Sequence, residues 1–145
     1  EVIAPKNELI TDEMAKKAYL LGEMIGISFQ IKDDIFDYYP STEIGKPTAN
    51  DMREGKLTLP ALYVLNNTSD EKIKNLAFRI RSLEATKEEI DGFIDYVKEN
   101  GGMEYARTKM IEYRNKALDL LPPQTSLPLR EALAAYIDYV IERDN

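Results

Sequence analysis

The sequence predicts an all-α protein, and three observations carry that expectation. Capping residues recur at Thr11, Thr58, Thr68, Thr86 and Ser126, each ahead of apolar residues spaced three and four apart. Only four Val are present, and no stretch alternates apolar with polar residues as a half-buried strand does. Leu, Ile, Val and Phe make up about a quarter of the 145 residues, which supports a core and excludes a disordered chain. No linker, repeat or low-complexity tract divides the chain, so one all-α domain over 1–145 is expected.

The elements follow from their punctuation. Thr11, with Asp12 and Glu13 in the first turn, opens a long helix that nothing stops before Tyr38-Tyr39-Pro40, so it is placed over 12–38. Residues 40–56 hold Pro40, Gly45, Pro47 and Gly55 among Ser, Thr, Asn and Asp, and read as a loop with little regular structure. Thr58 caps a short helix with Pro60 in its first turn, ending near Asn66-Asn67. Thr68 with Glu71, and Thr86 with Glu89, read as capping boxes for two more helices. The first of these runs to about Leu83, and the second stops at Asn100-Gly101-Gly102. A helix over 103–121 dies at Pro122-Pro123. Ser126 caps the last helix, with an apolar stripe of Leu133, Tyr136, Ile137, Val140 and Ile141.

Composition removes whole classes of chemistry. The formal charge of −7 argues against a nucleic-acid backbone or an anionic membrane surface as partner. With no Cys there is no disulfide framework, thiolate nucleophile or zinc finger, and with no His there is no Ser-His triad or imidazole base. Carboxylates, Lys, Arg, amides and bound cations remain. No apolar run approaches the ~20 residues that span a bilayer, so no membrane span and a cytoplasmic location are expected. The chain opens on Glu1, which reads as a piece of a longer protein.

The informative segment is 26–37, Gly-Ile-Ser-Phe-Gln-Ile-Lys-Asp-Asp-Ile-Phe-Asp. At ~100° per residue Gln30, Asp33, Asp34 and Asp37 project to one side of the long helix, with Glu23 and Gly26 on the same line. Most of the remaining circumference is apolar, interrupted by Ser28 and Lys32. Like-charge neighbours three and four apart repel by ~0.2–0.5 kcal/mol on an exposed helix and by far more when buried, unless a proton or a cation compensates. From the residues alone two readings stand, a solvated acidic face and a divalent metal site, and the apolar surround favours the metal. An EF-hand does not fit, because these acids lie within a helix. In the following loop Gly45-Lys46-Pro47 and Glu54-Gly55-Lys56 each set a Lys beside a Gly. That pattern suits phosphate oxygens, although a solvated surface Lys also explains it.

Together with Asn50-Asp51 and Leu57-Thr58-Leu59-Pro60, these residues resemble the second aspartate-rich motif of the trans-polyprenyl diphosphate synthases and the segment after it, over 26–60. The flavour is closest to long-chain bacterial members of octaprenyl diphosphate synthase type. The resemblance implies the isoprenoid synthase fold, with helices around a central cavity. It also implies Mg2+-dependent condensation of isopentenyl diphosphate with an allylic diphosphate. It makes Asp33 the direct Mg2+ ligand, Asp34 and Asp37 outer or shared ligands, and Gln30 a residue of the allylic pocket. Lys46 and Lys56 become the catalytic cations that bind the departing diphosphate, and Asp51 a partner of metal-bound water. Relatives are commonly homodimers; the alternative role for this chain is a non-catalytic partner subunit of a heteromeric prenyl synthase. Ala49 departs from the Gly that relatives often carry before the Asn-Asp pair. The family's first aspartate-rich motif and its Arg pair have no counterpart in 1–25. The chain is therefore expected to be the C-terminal part of a synthase, inactive alone, with exposed apolar helix faces. Product length is not legible.

Overall fold

Apolar residues at helical spacing become helices almost everywhere they occur. A computed structural model describes residues 11–39 and 49–142. In chain order the helices are α1 (Asp12–Phe36), α2 (Asn50–Arg53), α3 (Leu59–Asn67), α4 (Glu71–Arg81), α5 (Lys87–Glu99), α6 (Gly102–Asp119) and α7 (Leu127–Glu142), and no strand occurs among the described residues. The all-α expectation holds. None of these helices is long and apolar enough to cross a membrane.

The described residues form two compact units. One contains those up to Phe29 and those from Ile111 onward, and the other runs from Gln30 to Met110. In the first, Ala117, Ile137 and Ile141 are buried. Arg114 reaches Asp138 through Nε and Nη2 at 2.8 and 2.7 Å, a two-pronged pairing of α6 with α7. Arg130 donates to the Pro122 carbonyl at 2.6 Å, satisfying an acceptor just past the end of α6. Of the stripe expected on α7, Ile137 and Ile141 are buried, whereas Tyr136 is exposed.

The second unit carries the larger core. Ile90, Phe93, Ile94 and Val97 recur at three- and four-residue spacing on α5 and are all buried, with Ala77 and Ile80 of α4 and Ala61 and Val64 of α3 also inside. α4 packs on α5, α3 on α5, and α2 on α4. Tyr63 of α3 stacks on Tyr105 of α6, with centroids 4.1 Å apart and planes 14° from parallel. Close approach is demanded at Gly102, where a Cβ would lie 2.5 Å from Val97 Cγ1 and 3.0 Å from the Pro60 carbonyl oxygen.

Element ends show where local rules hold. The Thr86–Glu89 capping box is present in both directions, at 3.1 and 2.9 Å. Asn100 ends α5, and Gly101 turns the chain at φ 86°. Thr68 does not cap α4. Its hydroxyl pairs with the Tyr96 hydroxyl at 2.7 Å, and Asp70 takes over, its Oδ1 accepting from Lys72 N–H at 2.9 Å. The expected structureless loop also contains α2, whose N–H groups are satisfied from outside the local sequence.

Candidate functional site

The acidic stripe on α1 does not give its members one environment. Gln30 and Asp33 are exposed, Asp34 is 8% exposed, and Asp37, just past the helix end, is half-buried. The helical ladder reaches Asp37, whose N–H donates to the Asp33 carbonyl at 3.2 Å. It then tightens at Tyr38 and Tyr39, which bond three residues back.

Asp34 is held by Gln30, whose Nε2 donates to Oδ1 at 3.0 Å across one helical turn. Burial pushes the Asp34 carboxyl above the usual carboxylate range. The Gln30 bond opposes that shift, the charge of Asp51 adds to it, the backbone of Leu59 opposes it, and Asp33 adds a smaller push. The Leu59 backbone, in the first turn of α3, and the carboxylates of Asp51 and Asp33 are thus its electrostatic neighbours.

Asp37 is engaged with the backbone. Its Oδ1 accepts from Asn50 N–H at 2.9 Å, its Oδ2 from Asp51 N–H at 3.1 Å, and its carbonyl from Ala49 N–H at 2.8 Å. Ala49 sits at φ 65°, ψ 35°, the left-handed conformation that favours Gly, and is 2% exposed. The departure from the family's Gly therefore stands where the backbone does ask for one.

Asp51 is half-buried, and its carbonyl accepts from Lys56 N–H at 2.8 Å, which fixes Lys56 beside α2. The turn between them needs Gly55, at φ 79°, because a Cβ there would meet the Arg81 carbonyl oxygen at 3.0 Å. The Lys56 side chain is exposed, with Nζ 3.4 Å from Glu54 Oε1, an ion pair that solvent weakens. Lys46, with Gly45 and Pro47, lies outside the described residues. A recess of about 230 Å3 lined by Met52, Arg53, Ile80 and Ile90 contains none of the predicted site residues.

Sequence reasoning missed Tyr38. It is 1% exposed, and its hydroxyl has no hydrogen-bond partner among the described residues, although the Thr58 side chain and Ala61 backbone are electrostatic neighbours. Burial foremost raises its pKa, and the charges of Asp37 and Asp34 add to the effect. Its spacing of four from Asp34 was the available signal.

Among the described residues no three Asp or Glu side chains gather closely enough to hold a metal ion by themselves. Mg2+ takes one or two protein carboxylates and completes its shell with water and phosphate oxygens, so the neighbouring Asp33 and Asp34, rather than the full trio with Asp37, are the residues that would hold it. The chemistry these side chains offer is hard oxygen donors at Asp33 and Asp34 and an exposed ammonium at Lys56.

Comparison with known proteins places this geometry in a family. Residues 4–97 match the family model for polyprenyl synthetase. Heptaprenyl diphosphate synthase component 2 of Geobacillus stearothermophilus is 35% identical over 137 residues, which cover 92% of this chain and 41% of that protein. The crystal structure of geranylgeranyl pyrophosphate synthase from Bacteroides thetaiotaomicron is 51% identical with a TM-score of 0.84, over 92% of this chain and 44% of that one. A polyprenyl synthase from Caulobacter crescentus CB15, complexed with calcium and isoprenyl diphosphate, is 27% identical with a TM-score of 0.76, over 93% and 42%. The chain spans about two fifths of the length of the curated relatives it matches. It shares the isoprenoid synthase fold of these structures, and it belongs to the trans-polyprenyl diphosphate synthase family.

Proposed function

We propose that this chain supplies the second aspartate-rich half of a Mg2+-dependent prenyltransferase that condenses isopentenyl diphosphate with an allylic diphosphate. One observation carries the reading: Asp34 is buried, its burial and the charges of Asp51 and Asp33 push its carboxyl towards protonation, and a divalent cation would remove that penalty. Mg2+ bound there supplies positive charge to the departing diphosphate. Asp33 and Asp34 hold the metal, and Gln30 fixes the Asp34 oxygen that faces it. Lys56, joined by Lys46, would neutralise diphosphate oxygens, and Asp51 would act on the metal from its outer shell. Calcium and isoprenyl diphosphate in the Caulobacter crescentus relative support a divalent metal beside a prenyl diphosphate.

The test is thermal. Mg2+ with a bisphosphonate at about a hundred times Kd stabilises a protein by ~2.7 kcal/mol, so Tm of the 145-residue chain rises by several degrees. Asp33→Ala, Asp34→Ala and Lys56→Ala each abolish or reduce the rise. An unchanged Tm in the parent chain overturns the reading. We also propose that these residues bind without turning over, and measurable prenyl transfer by this chain alone overturns that part.

A second reading concerns assembly. The relative from Geobacillus stearothermophilus is a synthase component, which favours a two-component enzyme over a homodimer. A full-length synthase containing this chain that is active as a homodimer, with no second kind of polypeptide, overturns it.

A further inference from the structure

Three successive backbone N–H groups, of Ala49, Asn50 and Asp51, converge on residue 37, two of them on its carboxylate. Such a concavity, a left-handed residue followed by a helical one, is a ready-made anion cradle, and here the anion is the chain's own Asp37. Ala49 holds a left-handed conformation, which a non-Gly residue keeps only where the surroundings over-determine it. The same peptide that donates to Asp37 Oδ2 belongs to the residue whose carbonyl holds Lys56 N–H. Asp51 and Lys56 are thus both tied to Asp37 through one residue.

We infer that Asp37 is a positioning residue and not a metal ligand: its carboxylate, clasped by Asn50 and Asp51 N–H, sets where Asp51 and Lys56 stand relative to Asp34. A carboxylate held by two consecutive N–H groups, one on each oxygen, has its plane set by the backbone, and re-aiming it away from them surrenders both bonds. The importance of that placement rests on the metal–diphosphate reading above, whereas the clasp stands without it.

Amide hydrogen exchange followed by NMR on the 145-residue chain separates the two. In the metal-free chain Asp37→Ala is expected to speed exchange at Asn50 and Asp51 about tenfold and to loosen Lys56, while Val97 in α5 changes less than twofold. Asp37→Asn keeps one acceptor and restores Asn50 but not Asp51. If Asp37→Ala does not fold, Asp37→Asn against the parent chain carries the comparison. Unchanged exchange at Asn50 and Asp51, or equal acceleration at Val97, overturns the inference. On adding Mg2+ with inorganic pyrophosphate to the parent chain, Asn50 and Asp51 are expected to stay protected. Loss of their protection as ligand binds shows Asp37 moving to the metal and overturns the inference. A parent chain with no Mg2+–pyrophosphate response at all sinks the proposed function, while the metal-free comparison still decides the clasp.

Discussion

Asp34 is the residue at which stability and chemistry oppose each other. Burial raises its pKa, so its contribution is favourable while it is protonated and is lost as pH rises from the ordinary 3.8 through its raised folded value. Asp34→Asn, which keeps the Gln30 partner, should therefore raise the metal-free Tm at neutral pH, and the gain should vanish in acid. The same variant should lose the Mg2+–bisphosphonate shift, so thermal melts at two pH values and with ligand read both sides. Ala49 poses a different balance. Its left-handed backbone costs ~1–2 kcal/mol, whereas Ala49→Gly gives up a buried methyl worth ~0.8 kcal/mol and gains unfolded-state freedom worth ~0.4–1 kcal/mol. The terms nearly cancel, and denaturant unfolding should place Ala49→Gly within about 0.5 kcal/mol of the parent. Ala49→Val adds bulk and a β-branch at a site 2% exposed and should destabilise strongly. The acids were legible as a stripe from helical spacing alone. What spacing did not tell is that Asp34 is buried and held by Gln30 while Asp37 turns to a backbone thirteen residues ahead.

At the scale of elements, the corner between α4 and α5 is the best-defined electrostatic feature. Glu89 accepts from Thr86 N–H and from both Arg79 Nη atoms, and the Arg79 bonds foremost hold its pKa down to about 2. A depressed carboxyl contributes stability above its ordinary 4.5 and loses it as pH falls towards about 2. Glu89→Gln should flatten that part of the stability–pH curve, seen by circular dichroism melts across the acid range. Thr86→Ala should cost about 1 kcal/mol at any pH. The Thr86–Glu89 half of this corner was readable because its partners lie three residues apart, whereas Arg79 reaches Glu89 across ten and left no local signal. α2 and the cap of α4 were not readable either, because Asp37 caps α2 across thirteen residues and Tyr96 claims Thr68 across twenty-eight. Long-range partners leave no local pattern.

At the scale of the whole molecule, the helical class was legible from capping residues and the scarcity of strand patterns, and the family from one ordered run of residues. The division into two units was not, since it falls inside α1 and α6 where composition does not change. Leu127, Leu129, Tyr136 and Tyr139 along α7, and Tyr19 on α1, are each more than half exposed. Apolar exposure on that scale marks interaction or association surface. The chain should bind a hydrophobic dye and show a sedimentation coefficient that rises with concentration, and Leu129→Glu with Tyr136→Glu should reduce both. The Tyr63–Tyr105 stack gives the molecule its own optical gauge. With no Trp in 145 residues, near-ultraviolet absorption and emission come from tyrosine, and two rings 4.1 Å apart and nearly parallel couple their transitions. Separation of α3 from α6 would therefore be visible as a change in tyrosine dichroism without any attached label, and Tyr105→Phe would identify the pair as its source.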